Sequence, residues 1–290
     1  MIKIKNMSVT YKNKTVLSID EEIVINKRER IGIIGSNGAG KTTLVNAILG
    51  LAPFKGIIDT DISHSQMAVH LQFNNYVNTM KIKYIIEMIC NTKLSKNKKL
   101  LELIDFFEFK ESLNKRFQNL SGGQKQRLTL ILVMYQDVPL VFFDEVTTGL
   151  DFVTRERLVE KIERWYRHKD TTICMVSHYY DELENLVDKL LILDEGKVVA
   201  FDYTEKLFKK YCGNNLIILE NNEENRKIIN NFTKILSPEH SIAISTNNKE
   251  EEKEVIDLLI NQNIDFKRTS KDIELLSINA KEDFKKRSLQ

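Results

Sequence analysis

The sequence predicts an α/β fold, a largely parallel sheet wrapped by helices, with a small α+β appendage at its C-terminal end. Three observations predict it. Gly35-Ser36-Asn37-Gly38-Ala39-Gly40-Lys41-Thr42 fits G-x-x-x-x-G-K-[ST] and lies between an apolar run, Arg30 to Ile34, and a helix-forming run, Thr43 to Leu49. Val138-Pro139-Leu140-Val141-Phe142-Phe143 is a second apolar run, ending in the carboxylates Asp144 and Glu145; so greasy a strand belongs in a parallel sheet covered on both faces. Beyond Gly213, short strand and helix patterns alternate.

The elements follow in order. Met1-Ile2-Lys3-Ile4-Lys5 alternates as an edge strand and lacks the apolar core of a signal peptide. Residues 30–34 form a buried strand that delivers the glycine loop. The glycines let backbone N–H groups turn inward around phosphate oxygens, and the helix that follows presents its unpaired N–H groups and positive dipole end. In such a loop Lys41 reaches the β- and γ-phosphates and the Thr42 hydroxyl ligates Mg²⁺. The chain therefore binds a nucleoside triphosphate. Met67 to Leu71 leads to Gln72, and Tyr84-Ile85-Ile86-Glu87-Met88-Ile89 and Leu100 to Phe107 carry helical periodicity. Leu120-Ser121-Gly122-Gly123-Gln124 precedes Leu128 to Tyr135, a buried helix and the longest apolar stretch. It falls well short of the ~20 residues needed to span a bilayer. Strands and helices resume from Val138 to about Tyr211. Asp144 and Glu145 stand at the C-terminal end of their strand, where such sheets place ligand chemistry. Thr172 to Ser177 is a further strand, ending at His178.

Asn214-Asn215 marks a junction across which few contacts are expected. After it the pattern gives a strand over 216–219, a helix over 223–236, a strand over 241–246, a helix over 249–262, and strands near 265–268 and 272–278. The chain thus divides into residues 1–212, with a helical lobe at about 73–137, and an accessory α+β domain over 213–290.

Composition excludes several classes. With 290 residues and a net charge of +2, the chain is near neutral, and no nucleic-acid partner is expected. Cys90, Cys174 and Cys212 are scattered, as reduced packed thiols rather than a disulfide framework. His64, His70, His168 and His240 form no metal-ligand pattern. The Lys-, Asn- and Ile-rich usage suggests an AT-rich bacterial genome.

The phosphate loop, the Leu120–Gln124 stretch and the Asp144-Glu145 pair, in this order, resemble the ATP-binding subunit of an ABC transporter. The likeness is specific through about Leu207. It implies a P-loop NTPase ABC cassette: a RecA-like core with an N-terminal β subdomain and a helical subdomain. Its cofactors would be ATP and Mg²⁺. Gly35, Ser36, Asn37, Gly38, Ala39, Gly40, Lys41, Thr42 and Thr43 would cradle the phosphates. Tyr11 would stack on adenine, Asp144 would hold Mg²⁺, Glu145 would polarise the attacking water, Gln72 would sense Mg²⁺ and water, and His178 would contact the γ-phosphate. Ser121, Gly122, Gly123 and Gln124 would cap the γ-phosphate held by a second subunit, and Asp151 would cross the dimer interface. Two departures stand out: Ser36 replaces a frequent proline, and Val146 replaces the proline that usually follows the glutamate.

The resemblance further implies a homodimer, or a pair with a paralogous cassette. A separate multi-spanning membrane subunit would dock near Asn74 to Lys83, leaving the chain peripheral on the cytoplasmic face of the cell membrane. The appendage is of a sort found on exporter ATPases of the two-component type, so export is expected, with peptides or antibiotics as cargo. An importer ATPase fits the appendage less well. The competing class is an ABC ATPase without a membrane partner, such as an iron–sulphur cluster assembly ATPase. Chromosome- and repair-type ATPases need a long coiled coil, which the stretch from Gln72 to Leu120 leaves no room for.

Overall fold

A computed structural model describes residues 1–71 and 76–289. The first strands are β1 (Ile2–Tyr11), β2 (Lys14–Ile19), β3 (Ile23–Ile25) and β4 (Arg30–Gly35), followed by helix α1 (Lys41–Ile48). Next come β5 (Lys55–Thr60), β6 (Met67–His70), α2 (Ile82–Ile89), α3 (Lys98–Phe106) and α4 (Gly122–Gln136). The chain continues through β7 (Leu140–Asp144), α5 (Phe152–Tyr166), β8 (Thr172–Val176), α6 (Tyr180–Glu184), β9 (Lys189–Asp194), β10 (Lys197–Tyr203) and α7 (Thr204–Cys212). Last are β11 (Asn215–Glu220), α8 (Glu223–Ile228), β12 (Lys234–Ile235), β13 (Ser241–Thr246), α9 (Lys249–Asn261), β14 (Phe266–Thr269) and α10 (Ile273–Ser288).

One sheet runs β3-β1-β2-β10-β9-β4-β8-β7-β6, with β5 paired to β1. From β9 to β6 all neighbours are parallel, and every residue of β7 and β8 is buried. That dryness explains why both read as continuous apolar runs. The β1, β2, β3 and β5 group is antiparallel. Ile2 to Ile4 pairs with β3 on one side and with β5 on the other, so the edge-strand expectation for residues 1–5 is corrected. Its alternation reported one buried face, Ile2, Ile4, Met7 and Val9, and alternation says nothing about whether a strand's margins are paired.

The helical lobe packs Ile82, Ile85 and Ile86 of α2 and Leu100, Leu103 and Ile104 of α3 on Leu128 and Ile131 of α4. Gln72 and Asn74 lie outside the described residues; within the expected docking stretch Val77 is exposed. No helix among the described residues is long and apolar enough to cross a membrane.

The C-terminal segment forms its own antiparallel sheet, β12-β13-β11-β14, with Ile217, Ile244, Val255 and Leu259 beneath it. Two expectations are corrected here. The helix over 223–236 stops at Ile228, and Lys234 and Ile235 pair with β13 instead. The strand near 272–278 is the first half of α10. Asp272 caps it by accepting from Leu275 N at 2.9 Å, and Ile273, Leu276 and Ala280 form a buried stripe at helical spacing. That stripe joins Leu207, Phe208 and Cys212 of α7 and Leu183 of α6 in one continuous core. Lys271 Nζ also donates to Asn185 Oδ1 at 2.6 Å. More therefore crosses the Asn214 junction than its composition suggests.

Candidate functional site

The phosphate loop leaves β4 at Gly35. A Cβ there would collide with the Leu193 carbonyl oxygen, so only glycine lets the loop turn against β9. Gly40 caps α1 at φ 99°, a left-handed backbone that side chains resist. Lys41 Nζ donates to Gly35 O at 2.9 Å and to Ser36 O at 3.1 Å. Burial depresses its pKa, with the carboxylates of Glu145 and Asp144 acting the other way. A groove of about 310 Å³ is lined by Tyr11, Val16, Asn37 to Thr43 and Glu145. Structure thus gathers Tyr11, the glycine loop and Glu145 around one space.

Thr42 Oγ1 donates to Asp144 Oδ2 at 3.0 Å. Asp144 is 3% exposed, and its other carboxylate oxygen, Oδ1, is buried with no hydrogen-bond partner among the described residues. Burial, and then the neighbouring Glu145 charge, raise its pKa. An orphaned buried carboxylate oxygen beside a threonine hydroxyl is a donor set that fits Mg²⁺, a hard cation held by oxygens together with substrate phosphates.

Glu145 follows with φ 51°, a left-handed conformation uncommon for such a residue and found at functional turns. Its N–H donates to Val176 O at 3.0 Å, which pins the turn to β8. His178 Nε2 stands 2.8 Å from Glu145 Oε1. Gln72, expected beside this pair, lies outside the described residues.

Sequence reasoning missed what holds the pair. Glu182, in α6 and four residues after His178, is 6% exposed. Its Oε2 accepts from Thr147 Oγ1 at 3.0 Å and from Ser177 Oγ at 2.9 Å, so one carboxylate ties the turn after Glu145 to the residue before His178. Arg155 Nε lies 3.3 Å from Glu182 Oε1, and its guanidinium covers the Tyr179 ring at 3.9 Å. Burial raises the Glu182 pKa, while these hydrogen bonds oppose the rise. The available signal was a carboxylate at i+4 from a site histidine. Two further residues carried none: Asp194, which accepts from Ser36 Oγ at 3.2 Å, and Lys281 of α10, 3.4 Å from Asp194. His70, read as structural, is buried with its pKa lowered to about 4 by desolvation.

Ser121, Gly122, Gly123 and Gln124 are not among the residues lining the phosphate groove. Ser121 caps α4: its hydroxyl accepts from Gln124 N at 3.3 Å and Gln124 Oε1 accepts from Ser121 N at 3.1 Å, a reciprocal capping box. The exposed N-terminus of α4 is thus capped by its own side chains and has free space above Gly122. Gln126 Nε2 donates to Thr148 O at 2.8 Å, linking α4 to the turn after Glu145. Asp151 caps α5, accepting from Thr154 N at 3.0 Å, and its hydrogen bonds to Thr154 lower its pKa.

A family model described as ABC transporter matches residues 20–148. The energy-coupling factor transporter ATP-binding protein EcfA1 of Mycoplasmopsis pulmonis is 32% identical over 218 residues, spanning 69% of this chain and 82% of the relative. The Nod factor export ATP-binding protein I of Rhizobium etli is 30% identical over 227 residues, spanning 73% and 71%. The thiamine import ATP-binding protein ThiQ of Haemophilus ducreyi is 28% identical over 187 residues, spanning 60% and 88%. A solved structure described as an ATP-binding subunit of an ABC transporter aligns with a TM-score of 0.64 at 21% identity, covering 73% of this chain and 93% of that one, a likeness of fold.

Proposed function

The chain belongs to the ATP-binding subunits of ABC transporters, and we propose that it works as a head-to-tail dimer that powers export through a separate membrane subunit. ATP binding and hydrolysis come with the family. The observation that carries the catalytic assignment is the 2.8 Å approach of His178 Nε2 to Glu145 Oε1, at the margin of the phosphate groove.

Lys41 is held within the loop by the Gly35 and Ser36 carbonyls, and phosphate oxygens take over that ammonium when ATP enters. Mg²⁺, when bound, withdraws charge from the phosphate oxygens, and Thr42 Oγ1 and Asp144 are the groups placed to hold it. Glu145 orients the attacking water and accepts its developing proton, while His178 fixes the carboxylate and faces the γ-phosphate. Chemistry of this kind asks for positioning and charge neutralisation more than covalent help. Ser121 and the N–H groups of Gly122 and Gly123, at a capped and open helix start, suit the γ-phosphate held by the opposite subunit. Asp151 and Gln126 then link that contact to the turn after Glu145.

Export is supported by the Rhizobium etli relative and by the α+β segment after Gly213; peptides or antibiotics are the proposed cargo. An importer is the second reading, favoured by the energy-coupling factor and thiamine import relatives. Purification from membranes tests the partner: a multi-spanning protein should accompany the chain. Recovery of the chain without one favours an ABC ATPase outside membrane transport, such as one of iron–sulphur assembly. Inside-out vesicles carrying the complex fix direction, since export draws cargo into their lumen on ATP addition.

A further inference from the structure

Lys281 belongs to α10, in the segment after Gly213, yet its ammonium reaches the phosphate loop's flank. Its Nζ lies 3.4 Å from Asp194 Oδ1. The same oxygen accepts from Ser36 Oγ at 3.2 Å, and the Ser36 carbonyl accepts from Lys41 Nζ at 3.1 Å. One chain of contacts thus runs from the appended helix, through the C-terminal end of β9, to the lysine that meets ATP. The Lys281 and Asp194 side chains are 21% and 17% exposed, so solvent screens their attraction only in part. The backbone beneath Lys281 is anchored: Ala280, its neighbour, is fully buried in the core shared with α7 and α6.

An uncompensated carboxylate at this position would repel the phosphates of an arriving nucleotide, and the repulsion grows where water is sparse. Asp194 nonetheless stands there as the acceptor for Ser36 Oγ. A cation on its outer side removes the conflict. We propose that Lys281 is a positioning residue of the ATP site: by neutralising Asp194 it keeps Ser36 tied in the loop without charge opposition to triphosphate. The seating of α10 thereby sets nucleotide affinity. The charge of Lys281 is also felt at Lys41, whose pKa it lowers in concert with burial. This inference rests on the reading of residues 35–42 as the triphosphate cradle.

The test uses the full chain, a fluorescent ATP analogue with Mg²⁺, and steady-state hydrolysis. Lys281→Met should raise Kd and KM for nucleotide about two- to fivefold, the range of a partly screened ion pair. Its kcat should stay within about twofold, the pattern of lost uniform binding. Lys281→Arg should behave as wild type, and Asp194→Asn combined with Lys281→Met should recover most of the affinity. Unchanged Kd in Lys281→Met overturns the proposal, as does weakened binding that the double variant fails to repair. Lys41→Ala is measured beside them: wild-type binding there would fell the cradle reading itself, whereas failure confined to Lys281→Met fells only this inference. Matching melting temperatures of Lys281→Met and Lys281→Arg exclude misfolding as the source of a difference.

Discussion

His178 Nε2 stands 2.8 Å from Glu145 Oε1, although the two residues follow different strands. The reason lies in the sheet. β7 and β8 are parallel neighbours in the register Asp144↔Val176, so each delivers the residues beyond its C-terminal end to the same margin. The left-handed turn at Glu145 and its N–H bond to Val176 O then bring that glutamate toward β8's following loop. The Glu182 carboxylate, bonded to Thr147 and Ser177, holds both approaches in place.

Glu145→Gln keeps the shape and removes the carboxylate charge proposed to act on the attacking water. ATP binding should persist while turnover falls by ~10²-fold or more, as for lost general-base or positioning groups. The variant should accumulate as an ATP-bound dimer on size-exclusion chromatography. Steady-state hydrolysis at the wild-type rate would remove Glu145 from the mechanism.

Asp144→Asn tests the orphaned oxygen. Nucleotide should still bind in EDTA, through the loop and Lys41, but Mg²⁺ should no longer strengthen binding, and hydrolysis should drop by ~10²-fold or more. Paired titrations with and without Mg²⁺ read this directly. A preserved Mg²⁺ enhancement would show that the metal is held elsewhere.

Glu182→Ala should cost about 1–3 kcal/mol of stability, the range for leaving buried polar partners unmatched, here Thr147, Ser177 and Arg155. It should also lower kcat more than it raises KM, because the Glu145 and His178 loops lose their shared tie. Urea unfolding and hydrolysis kinetics measure the two effects. A stable variant with normal kcat would leave the network without a positioning role.

Much of this site was legible because its parts announce themselves locally. The glycine loop sits between a strand and a helix, and β7 and β8 are short runs with no polar face. Residues 273–277 were not legible. Ile273 and Leu275 flank Glu274 in a strand's alternation, while Ile273, Leu276 and Ala280 recur as a helix would; packing on α7 decided between them. Glu182 gave a weak hint through its spacing from His178. Lys281 and Asp194 gave none, since an ion pair between distant elements leaves no mark on either local pattern.

The last helix is part of the cassette's core, so its loss should be felt there. Leu276→Ala, at a fully buried position, should cost about 2–5 kcal/mol. A chain ending at Cys212 should melt well below the full length, because Leu207, Phe208 and Cys212 lose their cover. Equal melting temperatures for the two lengths would mean that α10 adds nothing to the cassette's stability.

In the proposed dimer each ATP is completed by two subunits, since Ser121 to Gln124 do not line their own phosphate groove. Lys41→Ala and Ser121→Arg each put one lesion into every site of their own dimer. A mixed dimer instead carries both lesions in one site and none in the other. Hydrolysis by the 1:1 mixture, with subunit exchange followed by fluorescence energy transfer, is the direct measurement. Two inactive proteins that regain activity on mixing, toward about half of the wild-type rate per mixed dimer if sites act independently, match a site shared between subunits. Verified exchange with no recovery of hydrolysis would contradict it.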